Sequence, residues 1–74
     1  MATKNFNKDE FVQDGDRYQI EFSMKEIGEG SDLIIERKKD DGEYEIIQAE
    51  VNRHDESLFV VWSEPFDGRL IFEK

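Results

Sequence analysis

From Arg17 to about Glu26 the chain alternates, with Tyr18, Ile20, Phe22 and Met24 apolar and Arg17, Gln19, Glu21, Ser23 and Lys25 polar. A period of two over this length predicts a strand with one buried and one wet face. The run breaks at Gly28-Glu29-Gly30-Ser31-Asp32, where two glycines permit backbone angles that other residues avoid. A second strand is predicted over Leu33 to Lys38, leading to Asp41-Gly42, a strong hairpin-turn signal. The third covers about Glu43 to Asn52. Its apolar positions change parity between Ile46 and Ile47, which predicts a β-bulge there. Polar residues 52–57 read as a loop. Leu58 to Ser63 is apolar on both parities, the pattern of a central strand covered on two sides. A turn around Pro65 and Gly68 precedes the last strand, Arg69 to Glu73.

These runs predict an all-β fold: a small antiparallel meander of five to six strands, either a curled sheet or a small SH3-like barrel. Residues 1–16 carry only Phe6, Phe11 and Val12 as sizeable apolar groups and read as an irregular N-terminal segment. Within it, Asn7 and Glu10 have the spacing of a capping box, so one helical turn or an extra strand is open there. Residues 17–74 read as a single β domain. One face supplies a core from Tyr18, Ile20, Phe22, Met24, Leu33, Ile35, Val60, Trp62, Leu70 and Phe72. Ile34, Phe59, Val61 and Ile71 fall on the other face, to be covered by the N-terminal segment or left exposed as an interface.

The stretch Phe11-Val12-Gln13-Asp14-Gly15-Asp16-Arg17-Tyr18-Gln19-Ile20 resembles the segment that enters the first long strand of SH3-type barrels. The resemblance implies a tight glycine turn feeding an alternating strand in a small barrel. It spans residues 11–20 and no further. The family's tandem tryptophan and its closing Pro-Ser-Asn-Tyr are missing, so proline-peptide binding is not implied.

Composition narrows the chemistry. In 74 residues there is no cysteine, which excludes disulfides, thiolate metal sites and cysteine nucleophiles. The single histidine, His54, stands beside Asp55, Glu56 and Ser57, but a catalytic triad is defined by geometry and not by adjacency. An exposed loop histidine is the simpler reading. The carboxylate pairs Asp14 with Asp16 and Asp40 with Asp41 lie next to glycines, as in ordinary turns, and lack EF-hand spacing. No enzyme, metal site or cofactor is expected. Loop calcium binding stays open. The start of the chain has no apolar run of the signal-peptide kind, and no stretch approaches membrane-spanning length, so a cytoplasmic location is expected.

Charge points to a partner. The formal net charge is −9, which repels nucleic acid and anionic membranes and attracts basic surfaces. The sequence therefore predicts a small acidic, non-catalytic module that binds protein, one use being to occlude the nucleic-acid-binding surface of a larger protein. The carboxylates expected to matter flank the turns: Glu26, Glu29 and Asp32 at one end, Asp40, Asp41 and Glu43 at the other. Phe66, in the turn beside Pro65, either folds back over the core or protrudes as an anchor. The alternative is an assembly subunit that associates through an apolar face or an open edge strand, with a homo-oligomer open.

Overall fold

The computed structural model describes residues 2–28 and 32–73. Eight strands are found among them: β1 (Ala2–Phe6), β2 (Val12–Asp14), β3 (Arg17–Ser23), β4 (Leu33–Lys38), β5 (Tyr44–Ile47), β6 (Glu50–His54), β7 (Ser57–Trp62) and β8 (Gly68–Phe72). They form two four-stranded antiparallel sheets, ordered β1-β8-β4-β5 and β2-β3-β7-β6. The molecule is all-β and antiparallel, as the alternation predicts. It is not a closed barrel, and it has more strands than the five or six expected.

The N-terminal segment accounts for much of that difference. Residues expected to be irregular form β1, a 3-10 turn over Lys8–Glu10, and β2. Half of the capping box forms: the Asn7 backbone N–H donates to the Glu10 carboxylate at 2.7 Å, and the Glu10 N–H donates to the Asn7 backbone carbonyl at 3.0 Å. β1 pairs with β8, and β2 with β3. The segment thus edges both sheets instead of covering a second face. Consequently Ile34 and Ile71 lie opposite each other on the outer side of one sheet, while Phe59 and Val61 share the outer side of the other.

The third predicted strand is two strands. β5 pairs with β4 in one sheet, and β6 pairs with β7 in the other. The parity change at Ile46 and Ile47 marks a crossing between sheets at Gln48 and Ala49, not a bulge. The loop expected over residues 52–57 shrinks to Asp55 and Glu56, because His54 already pairs with Ser57. Asp55 there takes a φ of 55°, which aspartate tolerates better than most residues. At the other end of the alternating run, β3 stops at Ser23 instead of Glu26. The Ser23 hydroxyl accepts the Lys25 N–H at 3.2 Å and opens a helical turn, α1 (Met24–Ile27). Gly28 closes that turn at φ 92°.

The core joins both sheets and α1: Phe6, Ile20, Phe22, Met24, Ile27, Ile35, Leu58, Val60, Phe66, Leu70 and Phe72. Trp62 and Leu33 pack against it half-buried. Tyr18, assigned to the core from parity, is half-exposed at the sheet end and stays outside this cluster. Phe6, Ile27, Leu58 and Phe66 take core places that the single-parity reading did not assign. No buried side-chain polar atom among the described residues lacks a hydrogen-bond partner.

Candidate functional site

Two populations of charged side chain stand out, beside exposed Lys8, Lys25, Lys38, Lys39 and Arg53. In the first, basic groups are held by glutamates on neighbouring elements. Arg17 Nη1 donates to Glu50 Oε1 at 2.9 Å across the face of β7. Arg69 Nε reaches Glu36 Oε1 at 2.5 Å, and its guanidinium lies 3.8 Å over the Tyr44 ring. Arg37 is held by Glu45, directly opposite it in the β4–β5 register. Lys4 on β1 pairs with Glu26 on α1 at 2.8 Å. Because its hydrogen bond and charge favour the ammonium form, Glu26 raises the Lys4 pKa above its ordinary value. Glu50 moves the other way: hydrogen bonds from Asn52 and Arg17, then the Arg17 charge, hold its carboxyl below the usual range.

The second population projects from turns. Asp40, Asp41 and Glu43 are exposed together in the β4–β5 hairpin, where Asp41 Oδ1 accepts the Glu43 N–H at 2.9 Å. Gly42 completes that turn at φ 88°, with Lys39 N–H donating to the Glu43 carbonyl at 2.7 Å. Asp14 with Asp16, and Asp55 with Glu56, project similarly from the β2–β3 and β6–β7 turns. Asp32 is exposed just before β4. Asp32 and the group Asp40, Asp41 and Glu43 therefore lie beyond opposite ends of β4, a six-residue strand on the order of 16 Å long. Glu26 is committed to Lys4. Glu29 lies outside the described residues.

Phe66 takes the folded-back arrangement. It is 5% exposed, with ring centroids 5.4 Å from Phe6, 5.1 Å from Phe11 and 6.2 Å from Trp62. It anchors the core and offers no surface to a partner. Beside it, a mixed-charge recess of about 490 Å³ is lined by Lys8, Lys38, Lys39, Asp40, Glu64 and Asp67 among others. Its opposed charges select no single ligand charge.

His54 and Ser57 do face each other across the β6–β7 hairpin. The Ser57 hydroxyl, however, donates to Glu21 at 2.5 Å, and the exposed His54 imidazole lies 3.4 Å from Asp55. The serine is turned toward a carboxylate instead of the imidazole, so the adjacent residues do not assemble as a triad. No group of three or more potential metal ligands is found among the described residues.

No family model matches the chain, and no curated protein or solved structure matches it either.

What sequence reading does not single out is Ile46 at the β5 edge, whereas Ile34 is among the residues it puts on the second face. Ile46 is 68% exposed and Ile34 37%, the former on an outermost strand and the latter on its neighbour. The signal was present in the apolar parity at Tyr44 and Ile46. It was masked by treating residues 43–52 as one strand.

Proposed function

We propose that this chain is a small acidic, non-catalytic protein-binding module that docks on a basic surface of a larger protein. A basic groove that normally holds nucleic acid is a surface it would occlude. The observation that carries this reading is the excess of carboxylates at the hairpin turns, which outnumber the exposed Lys38, Lys39 and Arg53 beside them. Lys4, Arg17, Arg37 and Arg69 are engaged by glutamates of the same chain, whereas Asp14, Asp16, Asp40, Asp41, Glu43, Asp55 and Glu56 project from hairpin turns. A partner approaching the turns meets an acidic field from a chain of net charge −9. Half-exposed ion pairs contribute little stability each, so their main effect is on the outward balance of charge.

The test is capture of partners from the source cell's lysate at about 50 and 500 mM salt, where screening differs strongly. It uses the natural chain and a triple variant, Asp40→Lys, Asp41→Lys, Glu43→Lys. Basic proteins held only at low salt, and lost with the variant, support docking by charge. Capture indifferent to both salt and charge reversal would remove the proposal.

A second reading, a subunit that assembles with copies of itself or a larger complex, is favoured by one observation: Ile46 and Ile34 are exposed at an open sheet edge. Association of that kind persists at high salt.

A further inference from the structure

We infer that β5 is a strand-addition edge that accepts an extended segment of a partner protein with aliphatic and basic residues in alternation. The inference rests on the acidic-module reading and specifies its contact. Opposed residues in an antiparallel pair alternate between exchanging hydrogen bonds and turning their backbone groups away. Lys39 N–H donates to the Glu43 carbonyl, so the register places Arg37 with Glu45, and Ile35 with Ile47, as bonded pairs. Tyr44 and Ile46 then present N–H and C=O to the open side. The same alternation turns Lys38 toward the other side of β4, where its N–H donates to Asp67 O at 2.8 Å. Among the described residues, β5 pairs with β4 alone.

The other three edges are guarded in familiar ways. β1 carries Lys4, held by Glu26, and β6 carries Arg53 and His54. β2 displays Val12, 64% exposed, but is only three residues long. β5 instead displays Ile46, the most exposed of the large aliphatic side chains, beside a shallow groove of about 340 Å³ lined by Ile34, Ile47, Ala49 and Val51 among others. Such an edge is a template for another strand.

Charge selects the occupant. Asp40, Asp41 and Glu43 lie at the start of β5 and outnumber the exposed Lys38 and Lys39 beside them, while Glu45 within β5 is held by Arg37. A second copy would bring the same carboxylates and another net −9 to the contact. An added strand with valine or isoleucine on the Ile46 side can carry lysine or arginine on the other face, because successive side chains alternate, and those cations meet the field of Asp40, Asp41 and Glu43.

The test is an NMR titration of the full chain with acetyl-Lys-Val-Lys-Val-Lys-Val-Lys-amide. Two control peptides carry glutamate for every lysine, or N-methyl groups on alternate backbone amides. The lysine peptide should shift the Tyr44 and Ile46 amides and slow their hydrogen exchange. Both controls, and the exposed-site variant Ile46→Lys, should bind at least about tenfold more weakly, a loss of about 1.4 kcal/mol. Equal binding by the N-methylated peptide would overturn strand addition. Shifts confined to the Asp14–Asp16 and Asp55–Glu56 turns would overturn the β5 assignment while leaving the acidic-module reading intact. Absence of binding by the lysine peptide overturns the inference, and the triple variant's salt-dependent capture then judges the broader reading separately. Self-association abolished by Ile46→Lys would make the occupant a second copy, contrary to the inference.

Discussion

Gly68 shows how little room the core leaves at a single position. A Cβ there would stand 2.2 Å from the Glu36 backbone oxygen, 3.0 Å from Phe6 and 3.2 Å from Phe66. The backbone oxygen cannot swing away as a side chain would. Gly68→Ala should therefore cost about 1–3 kcal/mol, toward the upper figure, in urea denaturation. Phe66→Ala empties a ring site bordered by Phe6, Phe11 and Trp62, and should cost about 3–5 kcal/mol. That is a large share of the stability of a chain this short. Trp62 fluorescence reports both losses. Glu50 supplies a pH test. Its folded carboxyl titrates below its unfolded counterpart, so its contribution is present above the unfolded pKa and is lost as pH falls through the folded one. NMR titration should place the Glu50 midpoint below 4.5, and Arg17→Met should move it back upward. Little of this was legible from the sequence. The turn aromatic Phe66 was equally compatible with exposure, because a Pro-Phe-Asp-Gly turn does not record which way its ring points. Gly68 read only as a turn former, since close approach to Glu36 depends on a strand 32 residues away, from 68 minus 36.

At the scale of elements, local pattern gave reliable strands wherever both chemistry and turn signals were local. β4, β7 and the β4–β5 hairpin lie close to where alternation and Asp41-Gly42 put them. The failures are instructive in physical terms. β1 reads Ala-Thr-Lys-Asn-Phe, which has weak strand character, and becomes a strand by pairing with β8. β5 and β6 are one run in sequence and two sheets in space, because a change of parity also occurs when a strand leaves one sheet for another. The end of β3 was set by the Ser23 cap, which competes with continued extension and wins. Ser23→Ala should cost about 1 kcal/mol and loosen α1, seen as faster exchange at the Gly28 amide, which donates to the Met24 carbonyl at 2.7 Å. Asp55 at positive φ makes the opposite prediction for its turn: Asp55→Gly should be tolerated within about 1 kcal/mol, whereas Asp55→Val should cost about 1–2 kcal/mol. The β5 edge escaped sequence reading for the same reason as the sheet crossing, since which strand is outermost depends on pairing order.

For the whole molecule, the acidic excess was plain from composition, and its division into engaged and outward groups was not. A net −9 repels itself when compacted, while the ion pairs of Lys4, Arg17, Arg37 and Arg69 are partly exposed and individually weak. Repulsion should prevail, so thermal stability followed by circular dichroism should rise by a few degrees between about 10 and 300 mM sodium chloride. A fall over that range would mean that the ion pairs dominate. The order β1-β8-β4-β5 also has a consequence in time. β8 stands between β1 and β4, so during synthesis β1 leaves the ribosome well before any strand that can receive it. Phe6 pairs with Gly68, a separation of 62 residues, from 68 minus 6. At about 5–20 residues per second, that interval is about 3–12 s of translation. For those seconds β1 has no strand to join, while the β2–β3 and β4–β5 hairpins can already pair locally.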